Sequence, residues 1–270
     1  LSFPTGVRAW LAANGGAAIK SWQSRSGELT VAGLALLLNT KTRLVQVSLV
    51  SFYNGHRIDW QPLHDLVRAL APQALISVDV TQALGRVALH CPGADVLVSS
   101  THKWSLGLHG GCIVGVPQAR AAELTTQAGG WYHLRNAFDA DRFERAEPKQ
   151  GAASFSVGMP NFAALCALDA SLRYLEGVGL DAIGRHADML VRALHDGLHG
   201  LGLEPLCPLR EDRPTGIVAF KHPRSAEMHA ALEAENVHVM HQAGRVRLSL
   251  HGYNTADDVQ RALAVLARFA

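Results

Sequence analysis

Apolar residues in the first half of the chain fall into short blocks, separated by turns rich in glycine, proline and polar residues. "LTVAGLALLLN", from residue 29, has helical spacing and reads as a core helix. "RLVQVSLVSF" (43–52) is rich in β-branched residues and predicts a strand. "PLHDLVRALA" (62–71) puts Leu63, Leu66, Val67 and Leu70 on one helical face, with Pro62 at a first-turn position. "ALISVDV" (74–80), "ADVLVSS" (94–100) and "GCIVGV" (111–116) predict three more strands. Strands alternating with helices argue for an α/β fold, a mostly parallel sheet with helices on both faces. The link between Lys103 and "GCIVGV" is too short for a helical crossover, so that strand is expected to run antiparallel or to lie at an edge.

Residues 117–160 show no periodicity. Beyond them, "NFAALCALDASLRYLEGVG" (161–179) predicts a long amphipathic helix ending near Gly177 or Gly179. "LDAIGRHADMLVRALHDGLHGLG" (180–202) predicts another. "TGIVAFKH" (215–222) and "RVRLSLHG" (245–252) read as strands, and "SAEMHAALEAEN" (225–236) and "TADDVQRALAVLARF" (255–269) as helices. Thr255 with Asp258 three residues on is a start signal for the last. The chain thus divides into 1–160, a large α/β part, and 161–270, a linking helix with a smaller α+β domain. No repeat or low-complexity tract is present.

Composition narrows the function without naming it. The 270 residues are 48% hydrophobic with a formal net charge of +2, which gives no electrostatic reason to expect nucleic acid or an anionic membrane. No apolar run is long enough to span a bilayer, and no basic stretch followed by an apolar one makes a signal peptide visible. Cys91, Cys112, Cys166 and Cys207 are scattered, as in the reduced thiols of a cytoplasmic protein.

The candidate chemistry lies where two strands end. In an open parallel sheet, ligands bind beyond the carboxyl ends of the strands. Asp79 closes one predicted strand; Ser100, His102 and Lys103 follow the next. If the two strands are parallel, the acid and the amine reach one rim and can face one ligand. Pyridoxal phosphate needs such a set: a lysine amine for its aldehyde, a carboxylate for its ring nitrogen and short polar donors for its phosphate. Taken singly each residue has a blander reading. Asp79 could form a turn, Gln82 could be a surface amide, and a His-Lys pair after a strand is usually a solvated loop. Arg245 and Arg247 share one face of an alternating strand, where one could simply be exposed. His195 with His199, and His238 with His241, have spacings a metal could use, but with no third ligand in view they read as exposed histidines. "GVGLDAIG" (177–184) follows a helix and reads as a helix stop and restart; Trp104 reads as packing beside the lysine.

The segment "SVDVTQALGRVALHCPGADVLVSSTHKW" resembles the class V aminotransferase family of fold-type I pyridoxal-phosphate enzymes, which includes cysteine desulfurases, kynureninases and isopenicillin N epimerases. The motifs in common are Asp79-Val-Thr-Gln82, Gly93-Ala94-Asp95 and Ser100-Thr-His102-Lys103. "RLVQVSLVSFYNGHRID", "VGMPNFAALCALDASLRYL" and "RVRLSLHGYNTADDV" are similar to further family segments, so that nearly the whole chain is covered. The resemblance implies that Lys103 is the Schiff-base lysine and proton shuttle and that Asp79 pairs with the pyridine nitrogen. It assigns Gln82 to the cofactor's phenolic oxygen, Ser100 and His102 to its phosphate, and Phe3 to stacking on the ring. Arg247 would clamp the substrate α-carboxylate, and the enzyme would be a homodimer acting on a small-molecule amino acid.

The chain also departs from the family. It begins just after the place of the family's phosphate-binding glycine turn, so a fragment or a truncated paralogue is expected. Met159 stands where a threonine is common, and Phe52 where an asparagine is. "NVHVMHQAGRVRL" holds no cysteine where desulfurases carry their nucleophile, which disfavours a persulfide mechanism. The expected activity is therefore aminotransferase-type. The alternatives are a lyase or epimerase of the same family, or an inactive module for binding or dimerisation.

Overall fold

Three of the predicted strands pair as parallel neighbours, and this sets the rim on which the site is built. The computed structural model describes residues 8, 11–12, 18–24, 27–212 and 214–270. Strands β1 (Leu44–Ser48), β2 (Leu75–Asp79) and β3 (Val96–Ser100) lie side by side, with Ser48 opposite Asp79 and Asp79 opposite Val98. The fourth, β4 (Cys112–Gly115), runs antiparallel on the edge, as the short link predicts, and pairs Cys112 with Ser100. Helix α2 (Trp60–Leu70) buries Trp60, Leu63 and Val67 in the same apolar cluster as Ile76 and Val78 of β2. Each fully buried Leu or Val contributes roughly 1.5–3 kcal/mol.

Asp95 of the Gly-Ala-Asp motif proves structural. It is 3% exposed, and it accepts the Ile76 N–H at 2.7 Å, the Arg68 guanidinium at 3.0 Å and a third bond from Arg120. It thereby ties the last turn of α2 to the start of β3.

The expected core helix from residue 29 is far shorter than its apolar run. Helix α1 is Val31–Ala35, capped by the Thr30 side chain on Gly33 N, and it buries only Leu34. Leu36 is 84% exposed, because a helix this short presents a single residue to the core.

The second half follows its predicted order with one strand added, Met240–Gln242. Helix α3 (Phe162–Val178) and α4 (Leu180–Gly200) are separated by Gly179, whose φ of +86° admits glycine readily and stops one helix before the next begins. Strands β5 (Ile217–Lys221), β6 (Met240–Gln242) and β7 (Arg245–Ser249) form an antiparallel sheet in the order β5-β7-β6. Helix α5 (Ser225–Ala234) and α6 (Ala256–Leu266) pack on it, and α6 starts with the expected Thr255–Asp258 capping box. Leu194, Leu198, Phe220, Met228, Leu232, Val246 and Leu266 are fully buried together.

One arginine joins the two sheets' neighbourhoods. Arg86, 2% exposed, donates from Nε to Leu250 O at 3.1 Å and from Nη2 to Asp188 on α4 at 2.6 Å. All four cysteines are free. Among the described residues, no helix is long and apolar enough to cross a membrane.

Candidate functional site

Because β2 and β3 are parallel neighbours, Asp79 and the Ser100–Lys103 turn emerge at one rim. Asp79 is the last residue of β2. Its Oδ1 accepts Thr81 N at 2.9 Å, and Thr81 Oγ1 accepts Ser100 N at 3.1 Å. The acid is thus the turn-former that its isolated reading suggests, and that turn fixes its carboxylate beside β3. Lys103 follows three residues after the end of β3 and lies within the field of both Asp79 and Arg247. Burial holds its amine below the usual lysine range; the Arg247 charge pushes the same way, and Asp79 opposes both. A lysine so placed is the better nucleophile near neutral pH.

Gln82 is 6% exposed, and its Oε1 accepts the Trp104 indole N–H at 2.7 Å. That bond fixes the amide so that its NH₂ group is left to donate elsewhere. Trp104 is more than packing. Its ring stacks on His251 with centroids 5.7 Å apart, and its carbonyl lies 3.1 Å from His251 Nε2. His251 Nδ1 accepts Gly252 N at 2.7 Å, so Nε2 carries the proton and donates to Trp104 O. Gly85 and Gly216 make the seat: a Cβ at Gly85 would stand 2.3 Å from Trp104 O, and one at Gly216 would stand 2.4 Å from the indole ring. The residue after the lysine is therefore clamped between the Gln82 turn and the "LHGYNT" segment. No spacing rule signals this clamp; the only hint is a tryptophan adjoining a candidate lysine.

His102 stacks on His109, with ring centroids 4.0 Å apart. Burial, then the His109 and Lys103 charges, hold it below the ordinary histidine value. Ser100 Oγ is buried with no hydrogen-bond partner among the described residues. An orphaned hydroxyl at the rim of a parallel sheet, two residues before a histidine, fits an anionic group such as a phosphate.

The two arginines of β7 depart from the expectation that one is exposed. Arg245 is 1% exposed, with its guanidinium 4.1 Å from the Tyr53 ring and a hydrogen bond to Tyr53 O. Arg247 donates to Phe52 O at 2.8 Å. Both Nε atoms are buried without a partner among the described residues. Burial and the neighbouring Arg245 charge push Arg247 down to about 10. The alternation of "RVRLS" explains the placement: Val246 and Leu248 enter the apolar cluster, so the arginines turn to the Phe52–Tyr53 loop.

The remaining candidates are placed as follows. Phe3 lies outside the described residues. Met159 is 62% exposed. Cys112 sits opposite Ser100 across β3 and β4; burial and the Asp79 charge hold its thiol above the usual value, with a backbone bond at Ser99 opposing. His195 corrects its expectation of exposure: it is 8% exposed, on the inner face of α4 beside Leu194 and Leu198, whereas His199 is exposed.

Against known proteins, residues 7–262 match the family described as Aminotransferase class-V. The uncharacterized aminotransferase YcbU of Bacillus subtilis is 25% identical over 237 residues, covering 85% of this chain and 60% of YcbU. A cysteine desulfurase of Dickeya dadantii is 32% identical over 172 residues, 62% of this chain and 39% of the relative. A structure of the cystine C-S lyase C-DES in complex with its reaction product cysteine persulfide superposes with a TM-score of 0.85 at 20% identity, covering 97% of this chain and 71% of that one. The apo cysteine desulfurase of Thermococcus onnurineus NA1 gives 0.76 at 23% identity, covering 92% and 64%. The chain spans at most 60% of the length of these two curated relatives.

Proposed function

The chain belongs to the class-V aminotransferase family, and from that premise we propose that its rim site binds pyridoxal phosphate and acts at the α-carbon of an amino acid, in an aminotransferase-type reaction. The single observation that carries this is the convergence on Lys103 of a carboxylate at the end of β2 and a guanidinium on β7. When bound, pyridoxal phosphate supplies an electron sink that loosens the bonds to the substrate's α-carbon.

Each side chain then has one task. The Lys103 amine would hold the cofactor at its aldehyde carbon and would carry a proton to and from the substrate's α-carbon. Its depressed basicity lets it do both near neutral pH. The Asp79 carboxylate holds a proton on the ring nitrogen. The Gln82 NH₂, oriented by Trp104, donates to the phenolic oxygen. Ser100 Oγ and His102 donate to phosphate oxygens, with Ser100 relieving its own burial cost. Arg247 holds the substrate carboxylate as a two-pronged donor.

The cysteine desulfurase relatives favour a second reading, a lyase that removes sulfur. Two features of this chain weigh against it. Residues 237–247 carry no cysteine, and the thiol nearest the rim, Cys112, is held in its protonated form. We further read the chain as a cytoplasmic homodimer with a large part to residue 160 and a smaller one beyond. The apolar side chains of Phe162, Leu165, Leu172 and Val178, exposed on α3, support a partner there.

The test is a panel of amino acids with the pyridoxal-phosphate-loaded protein, read for keto acid, sulfide and change of chirality. Keto acid formed with a keto-acid acceptor, and lost in Lys103→Ala, is the expected result. Sulfide from cysteine without keto-acid exchange overturns the aminotransferase reading in favour of the lyase.

A further inference from the structure

Three donor atoms from distant parts of the chain meet away from the rim. Glu28, His56 and Cys207 each direct one ligand atom into a space where all three lie within 4.8 Å of one another. His56 Nδ1 is 3.9 Å from Cys207 Sγ and 3.9 Å from Glu28 Oε1. His56 is 6% exposed, and the other two are half-buried. Zinc bonds of ~2.3 Å to sulfur and ~2.0–2.2 Å to nitrogen or oxygen give tetrahedral edges of ~3.4–3.6 Å. The two separations from His56 need a contraction of a few tenths of an ångström, and the Glu28–Cys207 edge, within 4.8 Å, closes by rotation of the Glu28 side chain.

The cluster is built rather than coincidental. Asn54, 2% exposed, donates its amide to Gly27 O at 2.6 Å and to Leu206 O at 3.2 Å, and its Oδ1 accepts His56 N at 3.2 Å. One buried side chain therefore fixes the residues preceding Glu28 and Cys207 and the backbone of His56 itself. Outer contacts of this kind orient metal ligands. A cavity of about 30 Å³, room for one or two waters, adjoins Cys207 and is also lined by His195. The His195 Nε2 atom is buried without a partner among the described residues. A water in that cavity would answer His195.

From this geometry we propose that Glu28, His56 and Cys207 form a structural site for a borderline divalent cation of the zinc class. Thiolate, imidazole and carboxylate together select such an ion over calcium or magnesium. Two negative ligands neutralise its charge, which suits a half-buried place. Without the ion, Cys207 keeps its proton, with the thiol pushed up to about 11 by burial and by Glu28. Its Sγ then contacts Pro208 O at 3.6 Å, and Arg210, 3.9 Å from Glu28, balances the carboxylate. Binding releases the thiol proton and moves the His56 proton to Nε2. The long 3.3 Å bond from Leu29 N to that atom is the contact given up, while Arg210 keeps its pair with Asp212. The ion would pin residue 28 and the segment before β5 to the loop that carries Phe52 and Tyr53, on which the two β7 arginines rest.

Cobalt(II) titration of the chelator-treated protein tests this without reference to its activity. The expected result is one cobalt per chain with a near-ultraviolet thiolate-to-cobalt band. That band is lost in Cys207→Ser and kept in Cys91→Ser, Cys112→Ser and Cys166→Ser. Glu28→Gln should weaken zinc binding by at least about tenfold, since even outer-contact changes cost 10–100-fold. Zinc should also raise the melting temperature of the native chain and leave that of Cys207→Ser unchanged. No thiolate band, a band that survives Cys207→Ser, or cobalt bound by surface histidines alone would overturn the proposal.

Discussion

Two buried arginine sites show how a folded chain treats a cation with and without its counter-ion. Arg86 is closed: Asp188 lies 2.6 Å away, and the Leu250 carbonyl takes a second bond. Arg245 and Arg247 are open. They rest on carbonyls and aromatic faces and keep two Nε atoms without a partner among the described residues; burial lowers both groups' affinity for protons, and the Arg245 charge lowers that of Arg247 further. A paired buried cation is a structural joint. An unpaired one, beside a lysine with depressed basicity, is a place for an anion to bind.

The largest expected effect breaks the closed site. Arg86→Ala strands Asp188 and should lower the unfolding free energy by about 3–5 kcal/mol in urea denaturation. An effect below ~1 kcal/mol would remove Arg86 from its joint role. The open site should respond oppositely. Arg247→Met should change the unfolding free energy by less than about 1 kcal/mol, since it frees only the Phe52 carbonyl and strands no charge, yet weaken amino-acid binding by roughly 30-fold or more. Equal losses of stability in both variants would erase the distinction.

A smaller effect follows from His251, which burial holds below its ordinary value beside Arg86. Its folded value is depressed, so above pH 6.5 it is neutral in both states and adds no pH dependence. As pH falls below 6.5, the unfolded chain takes up the proton first and stability drops until the folded value is passed. His251→Asn should flatten that part of the stability profile, measured from pH 7 to 5. The smallest effect is at the α6 cap. Asp258 is held below its usual value, chiefly by the Thr255 backbone N–H. Its contribution is therefore present above the ordinary carboxylate value and lost as pH falls through the folded one. Asp258→Ala should cost about 0.5–1 kcal/mol at pH 7, and the gap from the unaltered chain should close in acid.

The closed and open sites also differ in how far they could be read in advance. The rim was legible because it follows from local rules: β-rich runs, a crossover-length gap between Asp79 and Lys103, and parallel pairing that brings strand ends together. Arg247 was legible through its motif, although its burial was not. Nothing in "LGRVALH" marks Arg86 as a joint, because its partners stand at 188 and 250. His195 read as exposed because helical spacing alone does not say which face of α4 meets the core. The Glu28, His56 and Cys207 cluster has no spacing signature at all; only the tertiary fold assembles it. Lys103 was conspicuous, but the role of Trp104 in orienting Gln82 needed the indole to be seen.

The central claim is that the Lys103 amine, and no other, meets the cofactor. Borohydride reduction of the protein loaded with pyridoxal phosphate, followed by peptide mass spectrometry, tests it most directly. The pyridoxyl label is expected on Lys103 alone and absent from Lys103→Ala. Label spread over Lys20, Lys41, Lys149 or Lys221 at the same level would contradict it.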